Sequence, residues 1–322
     1  MSPSGLIKGA GLLPDGPLNA AVGETVMFTT TLTPTETPFQ AVVWTFDDSK
    51  NIISSSTANI TGPEYEGRIT LFSSTGSLEL RSLTPDDSGS YSVSIFPAGA
   101  FAQNGRTTLA IYEKVSNVLV TSSSTDLVEF NDSVSLSCSA SGSSLSFLWL
   151  NGSSEVTASD RVQLTDGGSS LTIITVTRFD QGPFRCRVSN PVSTGTSDPV
   201  NLSINYGPEN INLILSPSQG YFAVGSNISI TCSVGSRPPA QFKWFLNGDQ
   251  LPDTGSELRL MNVQMSQSGN YSCQAFNSKT LISQTSQPSA ITVLVSRYYC
   301  LSSSSHVGHR ASHDLSSCHA RV

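Results

Sequence analysis

Ile228-Ser-Ile230-Thr-Cys232, then Trp244, then Gln267-Ser-Gly269-Asn-Tyr271-Ser-Cys273 is the run on which the fold turns. Apolar and polar residues alternate around each landmark, and a period of two marks a strand with one buried face. The alternation turns both cysteines and the tryptophan to the same side, so they meet between two sheets. A second copy lies upstream: Val134-Ser-Leu136-Ser-Cys138, Trp149, Asp180-Gln-Gly182-Pro-Phe184-Arg-Cys186. A third opens the chain: Val26-Met-Phe28-Thr-Thr30, Trp44, Asp87-Ser-Gly89-Ser-Tyr91-Ser-Val93.

A repeat of roughly 90–95 residues carrying Cys, Trp and Cys in that order is the pattern of immunoglobulin-type sandwiches. The expected fold class is therefore all-β: three tandem immunoglobulin-like β-sandwich domains. The first is variable-type without a disulfide, because Thr30 and Val93 stand in the cysteine places. The other two are constant or intermediate-type, with expected bridges Cys138–Cys186 and Cys232–Cys273. Landmark separations of 63, 48 and 41 residues support the sorting, since the longest leaves room for extra C′ and C″ strands. The expected boundaries are 1–14 (disordered), 15–113, 114–206, 207–296 and a disordered tail, 297–322. Short linkers near Tyr112-Glu-Lys114 and Tyr206-Gly-Pro208 imply a semi-rigid chain of domains.

Composition limits the function. The 322 residues are 37% apolar and 13% charged with a net charge of −7, which gives no basic face for nucleic acid. Regular long-range cysteine pairs point to an oxidising compartment. Six Asn-x-Ser/Thr acceptors, Asn59, Asn131, Asn151, Asn201, Asn227 and Asn270, point the same way. The expected location is extracellular or at the cell surface. Met1–Leu13 does not read as a signal peptide, and no run of about 20 apolar residues spans a bilayer. Membrane attachment is thus not expected to be encoded here, and the sequence reads as incomplete or alternatively processed at one or both ends.

An enzyme fails on inventory. All four histidines, His306, His309, His313 and His319, lie in the tail, so the body has none to activate a nucleophile. No Gly-rich phosphate loop is present. No catalytic residue, cofactor or small-molecule substrate is expected. Cys300 and Cys318 with those histidines have zinc-ligand chemistry, but their spacing matches no finger, and no metal site is expected. Arg68 with Asp87, and Arg161 with Asp180, read as structural ion pairs at one edge of their sandwiches. The third copy has Gln267 in the aspartate place and loses the pair. Tyr91 and Tyr271 fit a corner hydrogen bond that Phe184 cannot make. Pro238-Pro239 reads as a loop.

Strand C of the first domain, Ala41-Val-Val-Trp44-Thr-Phe46, must bury Trp44, so Ala41, Val43 and Thr45 face outward. On strand F, burial of Tyr91, Val93 and Ile95 turns Ser92, Ser94 and Phe96 out. These strands are neighbours in the GFCC′ sheet. The expected partner-binding face is Ala41, Val43, Thr45, Ser94 and Phe96. Of the nearby pair Ile52-Ile53, Ile53 is assigned to it. Apolar side chains with a small polar surround are what a protein interface needs.

The run Ser189-Asn-Pro-Val192 … Ser197-Asp-Pro-Val200 … Tyr206-Gly-Pro-Glu209, and Tyr271-Ser-Cys-Gln-Ala-Phe-Asn277, resemble the carcinoembryonic-antigen-related cell adhesion molecules. A cysteine-free variable-type first domain is a trait of that family, and the resemblance covers roughly residues 15–296. It implies a glycosylated adhesion molecule whose first domain binds cell-surface proteins, often a copy of itself, through the same sheet. Gln40 and Thr45 do not match the aromatic residues typical of that face. Two other readings remain at this stage: a soluble immune modulator or decoy, and a mechanical repeat protein, against which the cysteine pairs and acceptor asparagines argue.

Overall fold

A computed structural model describes residues 11–37, 39–295, 298–300 and 318–320. The chain divides into two compact units. Among the described residues, one holds those up to 123 with 135–173 and 182–201; the other holds 124–134, 174–181 and those from 202 onward.

The first sandwich lies in the first unit. Its strands are β1 (Leu18–Ala21), β2 (Val26–Phe28), β3 (Ala41–Phe46), β4 (Lys50–Ser55), β5 (Asn59–Thr61), β6 (Ile69–Phe72), β7 (Ser77–Leu80), β8 (Gly89–Phe96) and β9 (Gln103–Tyr112). They form a six-stranded sheet, β1-β9-β8-β3-β4-β5, and a three-stranded sheet, β2-β7-β6. β1 runs parallel to β9; the other ladders are antiparallel. The alternation in β3 buries Val42, Trp44 and Phe46. Where a bridge would cross, Thr30 and Val93 are buried instead. Phe28 stacks on Tyr91 with ring centroids 4.3 Å apart, and lies 5.6 Å from Trp44. Thr30 is satisfied despite its burial: its N–H donates to Ser77 Oγ (3.1 Å) and its hydroxyl to the Thr75 carbonyl (2.6 Å).

The expectation of disorder over residues 1–14 needs one correction. Leu12 and Leu13 are 8% and 4% exposed and pack into the first core, and Thr31 N–H donates to the Leu12 carbonyl at 3.0 Å. Two adjacent leucines gain more by burial than the segment loses in freedom. Residues 1–10 lie outside the described residues.

Downstream come β10 (Ser116–Ser122), β11 (Asp126–Val128), β12 (Val134–Ser141), β13 (Ser146–Asn151), β14 (Ser154–Glu155), β15 (Val162–Thr165), β16 (Ser170–Ile173), β17 (Phe184–Asn190), β18 (Ser193–Thr196) and β19 (Ser203–Ser216). Two four-stranded sheets, β10-β12-β16-β15 and β14-β13-β17-β18, carry the Cys138–Cys186 bridge, with 6.2 Å between Cα atoms.

The second unit adds β20 (Tyr221–Ala223), β21 (Ile228–Arg237), β22 (Gln241–Leu246), β23 (Asp249–Gln250), β24 (Glu257–Leu260), β25 (Gly269–Phe276), β26 (Ser283–Thr285) and β27 (Ser289–Leu294). Its sheets run β11-β19-β21-β24 and β20-β27-β25-β22-β23, with β26 on β25. The Cys232–Cys273 bridge (Cα–Cα 6.3 Å) lies in the core with Trp244. β19 continues as one strand through Tyr206 and Gly207, and its register against β21 shifts between Tyr206 and Glu209 and again between Glu209 and Asn212. Within this unit Arg178 donates from Nε to both Glu129 oxygens (3.0 and 3.1 Å) and from Nη1 to Glu209 (2.6 Å). Its guanidinium carbon sits 3.9 Å from the Tyr206 ring centroid, a cation–π stack. Lys279 pairs with Asp126, and Asn277 Nδ2 donates to the Tyr206 carbonyl at 2.9 Å. The expectation for 297–322 lies outside the described residues, except for β28 (Tyr298–Cys300) and β29 (Cys318–Ala320), which pair antiparallel with Cys300 opposite Cys318.

The three copies repeat one device. The indole N–H of Trp44, Trp149 and Trp244 donates to the carbonyls of Gly76, Gly168 and Gly255 at 2.9, 2.8 and 2.8 Å. Asp87, Asp180 and Gln267 each accept the backbone N–H three residues before them, from Thr84, Thr177 and Gln264. Gln267 thus keeps the cap while lacking the charge.

Candidate protein-interaction face

The outer side of β9-β8-β3-β4-β5 can be read row by row from the strand register. One row runs Asn104, Ser94, Val43, Ser54, Ile60 across all five strands. The next toward one end pairs Ala41 with Phe96, and the next toward the other runs Arg106, Ser92, Thr45, Asn51. Ala41, Val43, Thr45, Ser92 and Ser94 are half-buried on this side and Phe96 is 40% exposed, while their strand neighbours are in the core. Val43, Ala41 and Phe96 make an apolar centre. Ile60, 66% exposed, extends the face on β5, and Phe101, 96% exposed, stands in the loop between β8 and β9.

Polar residues surround that centre, and they are already tied to one another. Ser94 donates to Asn104 (2.7 Å), Ser54 to Asn51 (2.7 Å) and Ser92 to Asp48 (3.1 Å). Arg106 reaches Ser90 (2.7 Å) and Asp48 (2.6 Å). Held in this way, the rim side chains have less rotamer freedom left to lose on association.

Ile53 does not belong to the face. It is 4% exposed and packs in the first core together with Ile52. The reason is a register shift between Trp44 and Thr45: Trp44 opposes Ile53, but Thr45 opposes Asn51, so β4 carries one extra residue. A bulge places two consecutive side chains on one side, and here both isoleucines go inward. Sequence reasoning also passed over Ile60, Phe101, Asn104 and the Arg106–Asp48 pair. Phe101 had a signal, as an aromatic residue within Pro97-Ala-Gly-Ala-Phe-Ala102.

At the β4–β5 edge a cleft of about 430 Å³ is lined by Lys50, Asn51, Ile60, Gly62, Glu64 and Tyr65. Lys50 pairs with Glu64 at 3.2 Å, with both side chains well exposed. Burial, with the Asp87 charge second, pushes the Tyr65 hydroxyl up to about 12, so it remains a neutral donor and acceptor. Arg68 pairs with Asp87 by two hydrogen bonds, one of 3.2 Å, at the end of the sandwich away from Phe96. Asp180 is buried and accepts from Thr177, and Arg161 is exposed. Asn59, Asn131, Asn201, Asn227 and Asn270 are exposed and Asn151 is half-buried. Among the described residues no helix is long and apolar enough to cross a membrane.

Residues 14–112 match the immunoglobulin V-set domain, and residues 117–190 and 211–277 match the immunoglobulin domain. With the sandwich topology, these matches place the chain in the immunoglobulin superfamily. Within it, the chain is similar to carcinoembryonic-antigen-related cell adhesion molecules. It is 30% identical over 227 residues to the mouse cell adhesion molecule CEACAM16, covering 69% of this chain and 53% of that protein. It thus spans about half the length of that relative. The crystal structure of murine CEACAM1b superposes with a TM-score of 0.52 at 26% identity, covering 58% of this chain and 96% of that one. The three-domain ectodomain of mouse nectin-like molecule 4 shares the fold: TM-score 0.55, 19% identity, 90% and 99% covered.

Proposed function

We propose that the chain is a cell-surface adhesion or recognition molecule that binds protein partners through the outer side of β9-β8-β3-β4-β5, a second copy of itself among the candidates. The observation that carries this is the apolar centre of Ala41, Val43 and Phe96 inside a hydrogen-bonded polar rim. Ile60 and Phe101 enlarge it. The kinship with adhesion molecules supports the reading, as does the fit of the face to the apolar-centre, polar-rim anatomy of protein interfaces. Domains at 15–113, 114–206 and 207–296, an extracellular location and glycans on the acceptor asparagines belong to the same proposal. So does an Arg161–Asp180 pair to match Arg68–Asp87.

The test is substitution on the face. Val43→Asp and Phe96→Asp should each weaken cell–cell or bead-aggregation binding by about 30-fold, the scale of a central hot spot. Circular dichroism and the thermal midpoint should stay as in the parent, because neither side chain is in the core. Full binding by both folded variants removes the face from the reading.

A further inference from the structure

The turn after β11 reads Glu129-Phe-Asn-Asp-Ser133, and it is zipped to the segment around Val176. Phe130 N–H donates to the Val176 carbonyl (2.9 Å), and Val176 N–H donates to the Asp132 carbonyl (3.0 Å). Arg178 N–H donates to Glu129 Oε1 (2.8 Å), and the Arg178 side chain grips the same carboxylate. The residues following this pair on either side are phenylalanines. Phe130 is 71% exposed and Phe179 is 85% exposed. Phe130 has a φ of 61°, an uncommon conformation for a bulky side chain, and it directs the ring away from the core that Val176 fills. Ile174, on the same segment, is exposed as well.

Two exposed rings on hydrogen-bonded segments suit an apolar occupant, and the sequence supplies one at the next residue. Asn131-Asp-Ser133 is a glycan acceptor with an exposed asparagine. Asn131 Nδ2 donates one hydrogen to Asp132 Oδ1 at 3.0 Å, which leaves the other for substitution. None of the other five acceptors has an exposed aromatic residue next to it in sequence. Ile228 and Tyr271, beside Asn227 and Asn270, are buried, as is Leu202 beside Asn201. Asn151 lies between half-buried Leu150 and Gly152. Asn59 adjoins Ile60, which strand alternation turns to the opposite side.

We propose that Asn131 carries an N-linked glycan whose first N-acetylglucosamine packs its C–H face on Phe130 and Phe179, so that the sugar covers the two exposed rings. The co-reactant is a lipid-linked pyrophosphoryl oligosaccharide. The Asn131 Nδ2–C1 bond forms, the C1–O bond to pyrophosphate breaks, Nδ2 gives up one proton, and the lipid pyrophosphate departs. Attachment beside the rings keeps the local sugar concentration high at little further cost in freedom. The proposal rests on passage of the chain through a glycosylating compartment, as the functional reading assumes.

The test uses the full chain secreted from cells making high-mannose glycans, trimmed to a single sugar per site. Glycopeptide mass spectrometry should show Asn131 occupied. Ser133→Ala, which keeps the asparagine and removes the acceptor, should lower the thermal midpoint of the affected transition by about 4 °C. Hydroxyl-radical labelling of Phe130 and Phe179 should be about threefold faster in that variant. In Phe130→Ala/Phe179→Ala the Ser133→Ala shift should disappear. Occupied sites elsewhere with Asn131 bare, or equal labelling with and without the sugar, overturns this proposal alone. A chain bare at all six acceptors overturns the secretory reading with it.

Discussion

The first and third sandwiches hold the same tryptophan by the same carbonyl bond and the same tyrosine by the same corner, yet they close in different ways. The third joins its sheets through Cys232–Cys273 and has an uncharged cap at Gln267. The first has no bridge; it stacks Phe28 on Tyr91 with Phe46 edge-on at 5.3 Å, and adds the Arg68–Asp87 pair. Covalent closure acts mainly on the unfolded chain, whereas stacking and ion pairing act on the folded one. The two solutions should therefore answer differently to reduction and to single substitutions.

Reduction gives the largest expected contrast. The 41-residue separation in the third sandwich corresponds to about 4 kcal/mol on the chain-entropy model. Cys232→Ala/Cys273→Ala should bring the third transition in a calorimetric scan close to or below the first. Reductant should lower the transitions of the two bridged sandwiches and leave the first unmoved. In the oxidised protein the first should melt earliest. A first transition that comes last, in several buffers, means its packing outweighs a bridge.

Asp87→Gln converts the first sandwich toward the third. The glutamine oxygen should keep the Thr84 cap, while Arg68 loses its partner next to a carboxylate site that is 7% exposed. A cost of about 2–3 kcal/mol is expected by chemical denaturation. A cost under about 0.5 kcal/mol means that the cap, not the ion pair, is what the aspartate supplies.

Arg178→Ala probes a position that Pro85 takes in the first sandwich, and should cost the second unit about 2 kcal/mol at neutral pH. Arg178 hydrogen bonds hold Glu129 and Glu209 below the ordinary carboxylate range. A depressed carboxylate contributes stability that is fully present above its unfolded pKa, about 4.3, and lost as pH falls through the lower folded value. The parent should thus lose stability between about pH 5 and the lower folded pKa values, where the variant loses less. Parallel pH profiles would show the network to be inert.

Most of the fold, and one side of the face, could be read from the chain because strand alternation is local. Burying Trp44 and Val93 is enough to turn Val43 and Ser94 outward, and no distant information is needed. Ile53 was misassigned because the extra residue in β4 is a property of its register against β3, and nothing in Asn51-Ile-Ile-Ser54 announces it. Arg178 went unnoticed for a related reason. Its carboxylates lie 49 and 31 residues away in sequence, and only folding brings them together. Arg68 and Asp87, by contrast, stand at landmark positions of the repeat, and the structure pairs them. Repetition marks Arg161 and Asp180 as the equivalent positions of the second copy, which is why their pairing belongs to the proposal.

The smallest effect tests what the two sandwiches share. Tyr91 donates its hydroxyl to the Asp87 carbonyl, and Tyr271 to the Gln267 carbonyl, each at 2.7 Å. Burial raises both phenol pKa values, which favours the protonated hydroxyl that each bond needs. Removing it leaves a carbonyl short of one donor and keeps the ring, at about 1 kcal/mol. Tyr91→Phe and Tyr271→Phe should therefore cost nearly the same, although only Tyr91 stands in an aromatic stack. Tyr91→Leu and Tyr271→Leu should then separate, with the first the more damaging, because that change also dismantles contacts to Phe28 and Phe46. Phe184, in the same place of the second sandwich, tolerates the missing hydroxyl already. Phe184→Tyr should gain up to about 1 kcal/mol if its corner is built like the other two. A loss there, with equal losses at Tyr91 and Tyr271, would restrict the shared corner to the first and third copies.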